Sequence, residues 1–408
     1  MTVYKPLPVL SDIIRAQKQL QGIVKSMPLE LSYSFSQMSE ANVFLKLENL
    51  QKTGSFKVRG AYNKISNLSA TAKNREIICA SAGNHAQGVA YAATKLNVRS
   101  RVFMPVFAPP LKVVATRAYG ATVELTGDTF DDAYRAAVDY TEKTQGTFIH
   151  PFNDPDIIAG AGTLGLELFE QNSDIEYVFV PIGGGGLISG IAIALKSLNP
   201  AIKIIGVEAD GAQSMKASID QGKIIALRNA DTIADGIAVK SCGNLNFEAA
   251  KEYVDDIVVV NDAEIARTAY LLLQRAKILA EPAGVASMAA ILYKKINVKG
   301  KNVVPIISGG NINMSILEQI LDKGVMDQGY RARIAVLVAD QAGTLKKILD
   351  ILEKVRASVH DIVHERSTTS VPVGYVRVTV TFNLQDTEQL SVITEEMDRY
   401  NLKYSVLR

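Results

Sequence analysis

The chain has 408 residues, more than one ordinary domain holds and suited to two or three. Its formal charge of +2 and the lack of any basic run argue against a nucleic-acid or anionic-membrane partner and leave small-molecule chemistry. Two cysteines, Cys79 and Cys242, make neither a disulfide framework nor a metal-ligand spacing, so a cytoplasmic protein is expected; Met1 to Pro6 also carries no apolar core of an export signal.

In chain order, Ile13, Ile14, Gln17, Leu20 and Val24 fall at helical spacing behind Ser11, read as the cap, and Pro28 ends the segment. Val43, Leu45 and Leu47 then alternate with Phe44, Lys46 and Glu48, the period of a strand. A short loop leads to Ser55-Phe56-Lys57-Val58-Arg59-Gly60-Ala61, where Lys57 is expected to open a helix. From there to about Asn311, β-rich runs alternate with helical patterns: Ile77 to Ala80, Arg101 to Pro105, Thr122 to Leu125, Tyr177 to Pro181, Ile202 to Glu208, Ile257 to Val260 and Asn302 to Ile307. Such alternation predicts an α/β fold of open, mostly parallel sheets with helices on both faces. The uncharged run Tyr177 to Leu195 reads as strand, turn and buried helix, because Pro181 and four consecutive glycines interrupt it as a membrane span.

The character changes between about Asp327 and Tyr330. Strands are predicted at Ile334 to Val338, Val359 to Glu365, Tyr375 to Phe382 and Lys403 to Leu407, with helices at Thr344 to Val355 and Thr387 to Tyr400. The order β-α-β-β-α-β is that of a ferredoxin-like module.

Three predicted strands end alike. Cys79-Ala80 runs into Ser81-Ala82-Gly83-Asn84-His85, Val180-Pro181-Ile182 into Gly183-Gly184-Gly185-Gly186-Leu187, and Ile306-Ile307 into Ser308-Gly309-Gly310-Asn311. In an open α/β sheet ligands bind beyond the carboxyl ends of the strands, so these loops can converge on one ligand. The glycine run with a helix behind it suits a phosphate monoester, and it is neither a P-loop nor a dinucleotide fingerprint. Lys57, with Lys52 and Arg59 as cationic neighbours, is a candidate nucleophile toward a carbonyl. An amine, free amides and small polar groups together point to pyridoxal 5'-phosphate.

These segments, Ser55 to Ala61, Ser81 to Gly88, the glycine run and Ser308 to Asn311, resemble the threonine dehydratase (threonine ammonia-lyase) family. That family lies within the tryptophan-synthase-β-like pyridoxal-phosphate enzymes of fold type II, with open parallel sheets in two lobes. The resemblance covers about residues 5 to 325 and implies a catalytic domain over 1–326 whose smaller lobe spans about 48–150. It assigns Lys57 the Schiff base with the cofactor, Phe56 a pocket wall, Asn84 the ring hydroxyl, Gly183, Gly184, Gly185, Gly186 and Leu187 the phosphate, and Ser308 the ring nitrogen. Ser81, Ala82, Gly83, His85 and Ala86 would hold the substrate carboxylate. The activity implied is α,β-elimination of L-threonine to 2-oxobutanoate and ammonia, with L-serine giving pyruvate; a serine-preferring dehydratase or a β-replacement synthase is the alternative on the same fold.

Departures from the family pattern also carry information. Serine racemases of the group have a serine where this chain has Ala82, which disfavours racemisation. Some relatives place a divalent cation where Glu208, Ala212 and Ser214 stand here; with serine in place of a carboxylate, no metal is assigned. Ala161 replaces a glutamine common in relatives. Residues 331–408 resemble a single ACT regulatory domain on Asp340-Gln341-Ala342-Gly343-Thr344-Leu345. This implies effector binding at Asp340, Gly343 and Thr344, isoleucine first and valine second, or oligomerisation alone, in a homodimer or homotetramer.

Overall fold

The computed structural model describes residues 6–366 and 369–407, so the reading of the first five residues lies outside the described part. The chain divides into two compact units, one ending at Ile316 and one starting at Leu317.

In the first unit, a six-stranded sheet runs in the order Leu29–Leu31, Asn42–Leu47, Asn302–Ile307, Tyr177–Pro181, Lys203–Ala209, Asp256–Val260. All neighbours are parallel except the edge strand Leu29–Leu31. A smaller parallel sheet has the order Thr122–Leu125, Ser100–Met104, Ile77–Ala80, Thr147–Phe148. The parallel strands are joined by crossover connections that carry helices over the sheet faces, and central strands such as Ile77–Ala80 are then buried on both sides. Val178, Val180, Ile204 and Ile306 form the core of the larger sheet with helices Pro155–Gln171 and Gly186–Leu198. Ile77, Cys79, Val102 and Met104 do the same for the smaller one against helix Asn84–Lys95. The run from Tyr177 is a strand, a turn and a buried helix, and no helix among the described residues is long and apolar enough to cross a membrane.

Three local expectations change. The first helix is Leu10–Leu20, and Ser11 lies inside it; Asp12 closes its start by accepting from the Val9 N–H at 3.0 Å. Strand Leu29–Leu31 and helix Tyr33–Ser39 follow, too short to leave a periodic trace in the sequence. Lys46 and Glu48, read as the polar side of a half-exposed strand, are fully buried, because Asn42–Leu47 is covered on both faces and its charges meet partners inside.

The second unit carries an antiparallel sheet ordered Ser358–Glu365, Tyr375–Asn383, Arg331–Ala339, Lys403–Leu407, with helices Thr344–Lys354 and Gln389–Arg399 in the connections. This is the ferredoxin-like order. Ile334, Val336, Val378 and Val380 alternate inward and pack on Ile348, Leu352 and Ile393 of the helices.

Candidate active site

Two of the three strand-end loops, 81–85 and 308–311, are joined to each other, and the second of them to the segment before Lys57, by direct bonds. The Phe56 N–H donates to the Ser308 carbonyl at 3.1 Å and the Gly310 N–H to the Gly54 carbonyl at 2.9 Å, with Ser55 and Gly309 in antiparallel pairing. Asn311 joins the third loop, its Nδ2 donating to the Thr53 carbonyl at 2.9 Å and to Asn84 Oδ1 at 2.7 Å.

Lys57 opens helix Lys57–Ser66 directly after Phe56. Its Nζ donates to the Pro151 carbonyl at 3.0 Å and lies 5.1 Å from the centroid of the Phe56 ring. Burial pushes the amine down to about 8, against the pull of the Glu281 carboxylate, so an appreciable neutral fraction is present near neutral pH. The cause is desolvation, and the cationic neighbours expected from sequence do not supply it. Lys52 is exposed, and the buried Arg59 guanidinium is engaged by Glu48 and Glu167. A cavity of about 10 Å³, room for one water, adjoins Lys57 and is lined by Phe56, His85, Pro151, Ala161 and Leu187 among others.

Strand Tyr177–Pro181 delivers the glycine run to the start of helix Gly186–Leu198. Among the described residues, no backbone N–H from Gly183 to Leu187 donates within the chain. Free amides at the positive end of a helix make an anion cradle. The cradle is held from behind by Asn246, whose Nδ2 donates to the Gly184 carbonyl at 2.8 Å and the Phe152 carbonyl at 3.2 Å.

A second set of free amides lies at Asn84, His85 and Ala86, where helix Asn84–Lys95 begins; Ser81 shapes the approach by accepting from the Gly83 N–H at 3.1 Å. Ser81, Ala82 and Gly83 are half-buried, and a Cβ on Gly83 would meet open space. The geometry suits a small carboxylate. The His85 ring is buried with Nε2 at 3.0 Å from the Ile149 carbonyl, and because a carbonyl only accepts, Nε2 carries the hydrogen. Burial first, then Lys57, pushes His85 down to about 3, so it is neutral and anchors the helix start.

Ser308 is buried, its N–H donating to the Gly284 carbonyl at 3.3 Å while its hydroxyl makes no intrachain bond among the described residues. The next helix starts at Met314, too far on for Ser308 to cap it. Glu208 accepts from the N–H groups of Met215 and Lys216, each at 2.8 Å, and so closes the start of helix Ser214–Gln221; burial pushes its carboxyl up to about 7.

Sequence reasoning missed Glu281 and His150, and it named Asn311 only as part of its loop, with no role. His150 Nδ1 accepts from the N–H groups of Phe152 and Asn153 at 3.2 and 2.9 Å, which fixes its neutral tautomer. The signal for Glu281 was an acid inside the small-residue run Ala280-Glu281-Pro282-Ala283-Gly284, where burial is the rule.

In the second unit, Gly343 has φ +89 and precedes helix Thr344–Lys354, whose first turn is closed by the Thr344 hydroxyl donating to the Gln341 carbonyl at 2.9 Å. Asp340 is held by Arg366 through Nε and Nη2 at 2.9 and 3.2 Å.

Residues 20–309 match the family described as pyridoxal-phosphate dependent enzyme. The chain belongs to that family. It is 46% identical over 390 residues to an L-threonine ammonia-lyase of Thermotoga maritima, covering 96% of each chain. A catabolic L-threonine dehydratase of Escherichia coli is 44% identical over 323 residues, 78% of this chain and 98% of the relative. The solved processed form of threonine deaminase isoform 2 from Solanum lycopersicum superposes with a TM-score of 0.74 at 38% identity, covering 80% of this chain and 92% of that one. A buried amine at Lys57, unspent amides from Gly183 to Leu187 and an unspent hydroxyl at Ser308 are the kinds of group that fit the aldehyde, phosphate and ring of pyridoxal phosphate.

Proposed function

We propose that the chain is a lyase that removes the β-hydroxyl and the amine of L-threonine, giving 2-oxobutanoate and ammonia, with L-serine converted to pyruvate as a side reaction. The observation that carries this reading is one buried amine, Lys57, sharing a cleft with two sets of free helix-start amides, at 84–86 and 183–187. Pyridoxal phosphate, when bound, supplies the electron sink that makes the α-proton of an amino acid acidic and lets a β-substituent leave.

The chain's own residues do the rest. Lys57 would hold the cofactor through its aldehyde, and its Nζ, when free and neutral, would take the α-proton of the substrate as general base. Asn84 would hold the ring hydroxyl and Ser308 the ring nitrogen; a serine there would leave the nitrogen without a full counter-charge, which favours prompt loss of the leaving group over transamination. The 84–86 amides orient the substrate carboxylate, with Ser81, Ala82 and Gly83 shaping its entry. Ala82 can neither accept nor donate a side-chain proton, so proton handling rests on Lys57 and elimination is favoured over racemisation.

Residues 1–326 form the catalytic domain in this reading, with its smaller lobe over about 48–150, and 331–408 an ACT-like regulatory domain that binds isoleucine or valine around Asp340, Gly343 and Thr344. The E. coli relative, matched over 323 residues, supports a catalytic part that stands without such a module. The protein is cytoplasmic and a homodimer or homotetramer. The test is incubation of the cofactor-loaded protein with L-threonine alone, measuring 2-oxobutanoate and ammonia, with Lys57→Ala beside it. No keto acid from the parent, or an undiminished yield from the variant, would overturn the reading.

A further inference from the structure

Glu281 is 3% exposed and stands at the N-cap position of helix Pro282–Leu292. It makes no cap bond. Its Oε1 turns instead to the cleft and accepts from Asn84 Nδ2 at 2.6 Å, across 197 positions of sequence. The approach is possible only because Gly309 has no side chain: a Cβ there would lie 2.1 Å from Glu281 Oε1 and 3.0 Å from Asn84 Nδ2.

The orientation of the Asn84 amide follows from a chain that starts at an unambiguous acceptor. The Thr53 carbonyl takes one hydrogen from Asn311 Nδ2, so the other goes to Asn84 Oδ1, so Asn84 presents its Nδ2 to Glu281. Both Asn84 heavy atoms are then fixed, and one N–H of Nδ2 remains unspent. Burial pushes the Glu281 carboxyl up to about 7, with Asp235 acting the same way and Asn84, Lys112 and Lys57 opposing. Lys112 is itself paired with Asp235 at 2.7 Å, which leaves Lys57 as the facing cation without a carboxylate bonded to it.

We propose that Glu281 is a positioning residue for the cofactor: by accepting one Asn84 N–H it aims the remaining one at the ring oxygen. The inference rests on the reading above that Asn84 meets the ring hydroxyl. Loss of Glu281 therefore acts through Asn84, which a merely structural residue would not do.

The experiment is a double-mutant cycle on cofactor affinity, read by titrating apoprotein with pyridoxal phosphate and following its absorbance. Glu281→Met is expected to weaken binding at least about tenfold in the parent but less than about twofold in an Asn84→Ala background, since coupled neighbours are non-additive. Glu281→Gln keeps an acceptor of the same shape, so it is expected to hold affinity within about threefold, and it serves where the Met variant does not fold. Equal weakening by Glu281→Met in both backgrounds, or a Gln variant as weak as Asn84→Ala, would overturn the inference. Unchanged affinity in Asn84→Ala itself would instead overturn the reading of Asn84 on which it stands.

Discussion

Arg59 and Glu48 form a two-bond ion pair with no solvent on either side chain: Nε meets Oε2 at 2.8 Å and Nη2 meets Oε1 at 2.8 Å. The same guanidinium reaches Glu167 Oε1 and Oε2 at 2.7 and 3.0 Å, and Lys46 closes the cluster on Glu167 at 2.9 Å. Two cations thus face two carboxylates, and the helix that opens with Lys57 is tied to the sheet strand and to helix Pro155–Gln171 two residues from the reactive amine. Removing one member leaves its partners charged and dry, a larger loss than the pair's net worth. Arg59→Met is expected to cost about 3–5 kcal/mol of unfolding free energy, measured by urea denaturation. A loss below about 1 kcal/mol would mean that the carboxylates find other partners.

The Lys57 amine sets a pH dependence with a definite sign. Its folded value is lowered by burial, so the folded chain disfavours the charged form: this cost is complete below about 8 and disappears as pH rises toward the ordinary 10.5. If Lys57 is the amine that takes the cofactor aldehyde, as proposed, attack needs its neutral form. The initial rate at which apoprotein gains the bound-cofactor absorbance should therefore climb through a midpoint near 8. A midpoint near 10 would show that the amine is solvated in the apoprotein.

Much of this was legible where the chemistry is local. The glycine run and the Ser81 to Ala86 segment present free backbone amides at helix starts, and residue type with a strand before and a helix after is enough to place them. What was not legible lies in partners distant along the chain. Arg59 read as a cation lowering the Lys57 value because Glu48 and Glu167 could not be placed beside it. Glu281 was passed over, and Asn311 was given no role, because only the bonded loops bring them to Asn84. Lys46 misled for a different reason: the alternation of Asn42–Leu47 suits a strand with one wet face, and burial of both faces is decided by the helices that cover it.

In the second unit, Gly343 adopts φ +89 with nothing within 4 Å of the position a Cβ would occupy. Space is therefore no obstacle to alanine, and the backbone angle alone is. Gly343→Ala should destabilise this unit by about 1–2 kcal/mol, the cost of a left-handed angle for a residue with a Cβ. If the helix start at Thr344 holds an effector carboxylate, the variant should also raise the isoleucine concentration needed for half-maximal effect on keto-acid formation. An unaltered isoleucine response beside the expected loss of stability would move effector binding away from this turn.

Asn246 offers a test confined to the proposed phosphate end of the site. It is fully buried, its Nδ2 holds the Gly184 and Phe152 carbonyls, and a Cβ on Gly184 would lie 2.3 Å from the Phe152 ring, so loop, ring and amide are mutually locked. Gly184 keeps a second donor, the Gly243 N–H at 3.1 Å, so Asn246→Ala should loosen the cradle without unfolding it, at about 1–3 kcal/mol. The amides of the loop would then lose their common aim. Apoprotein affinity for pyridoxal phosphate should fall about tenfold, while affinity for pyridoxal, which has no phosphate, should change by less than about twofold. Equal losses for the two compounds would place the effect of Asn246 on the pocket as a whole.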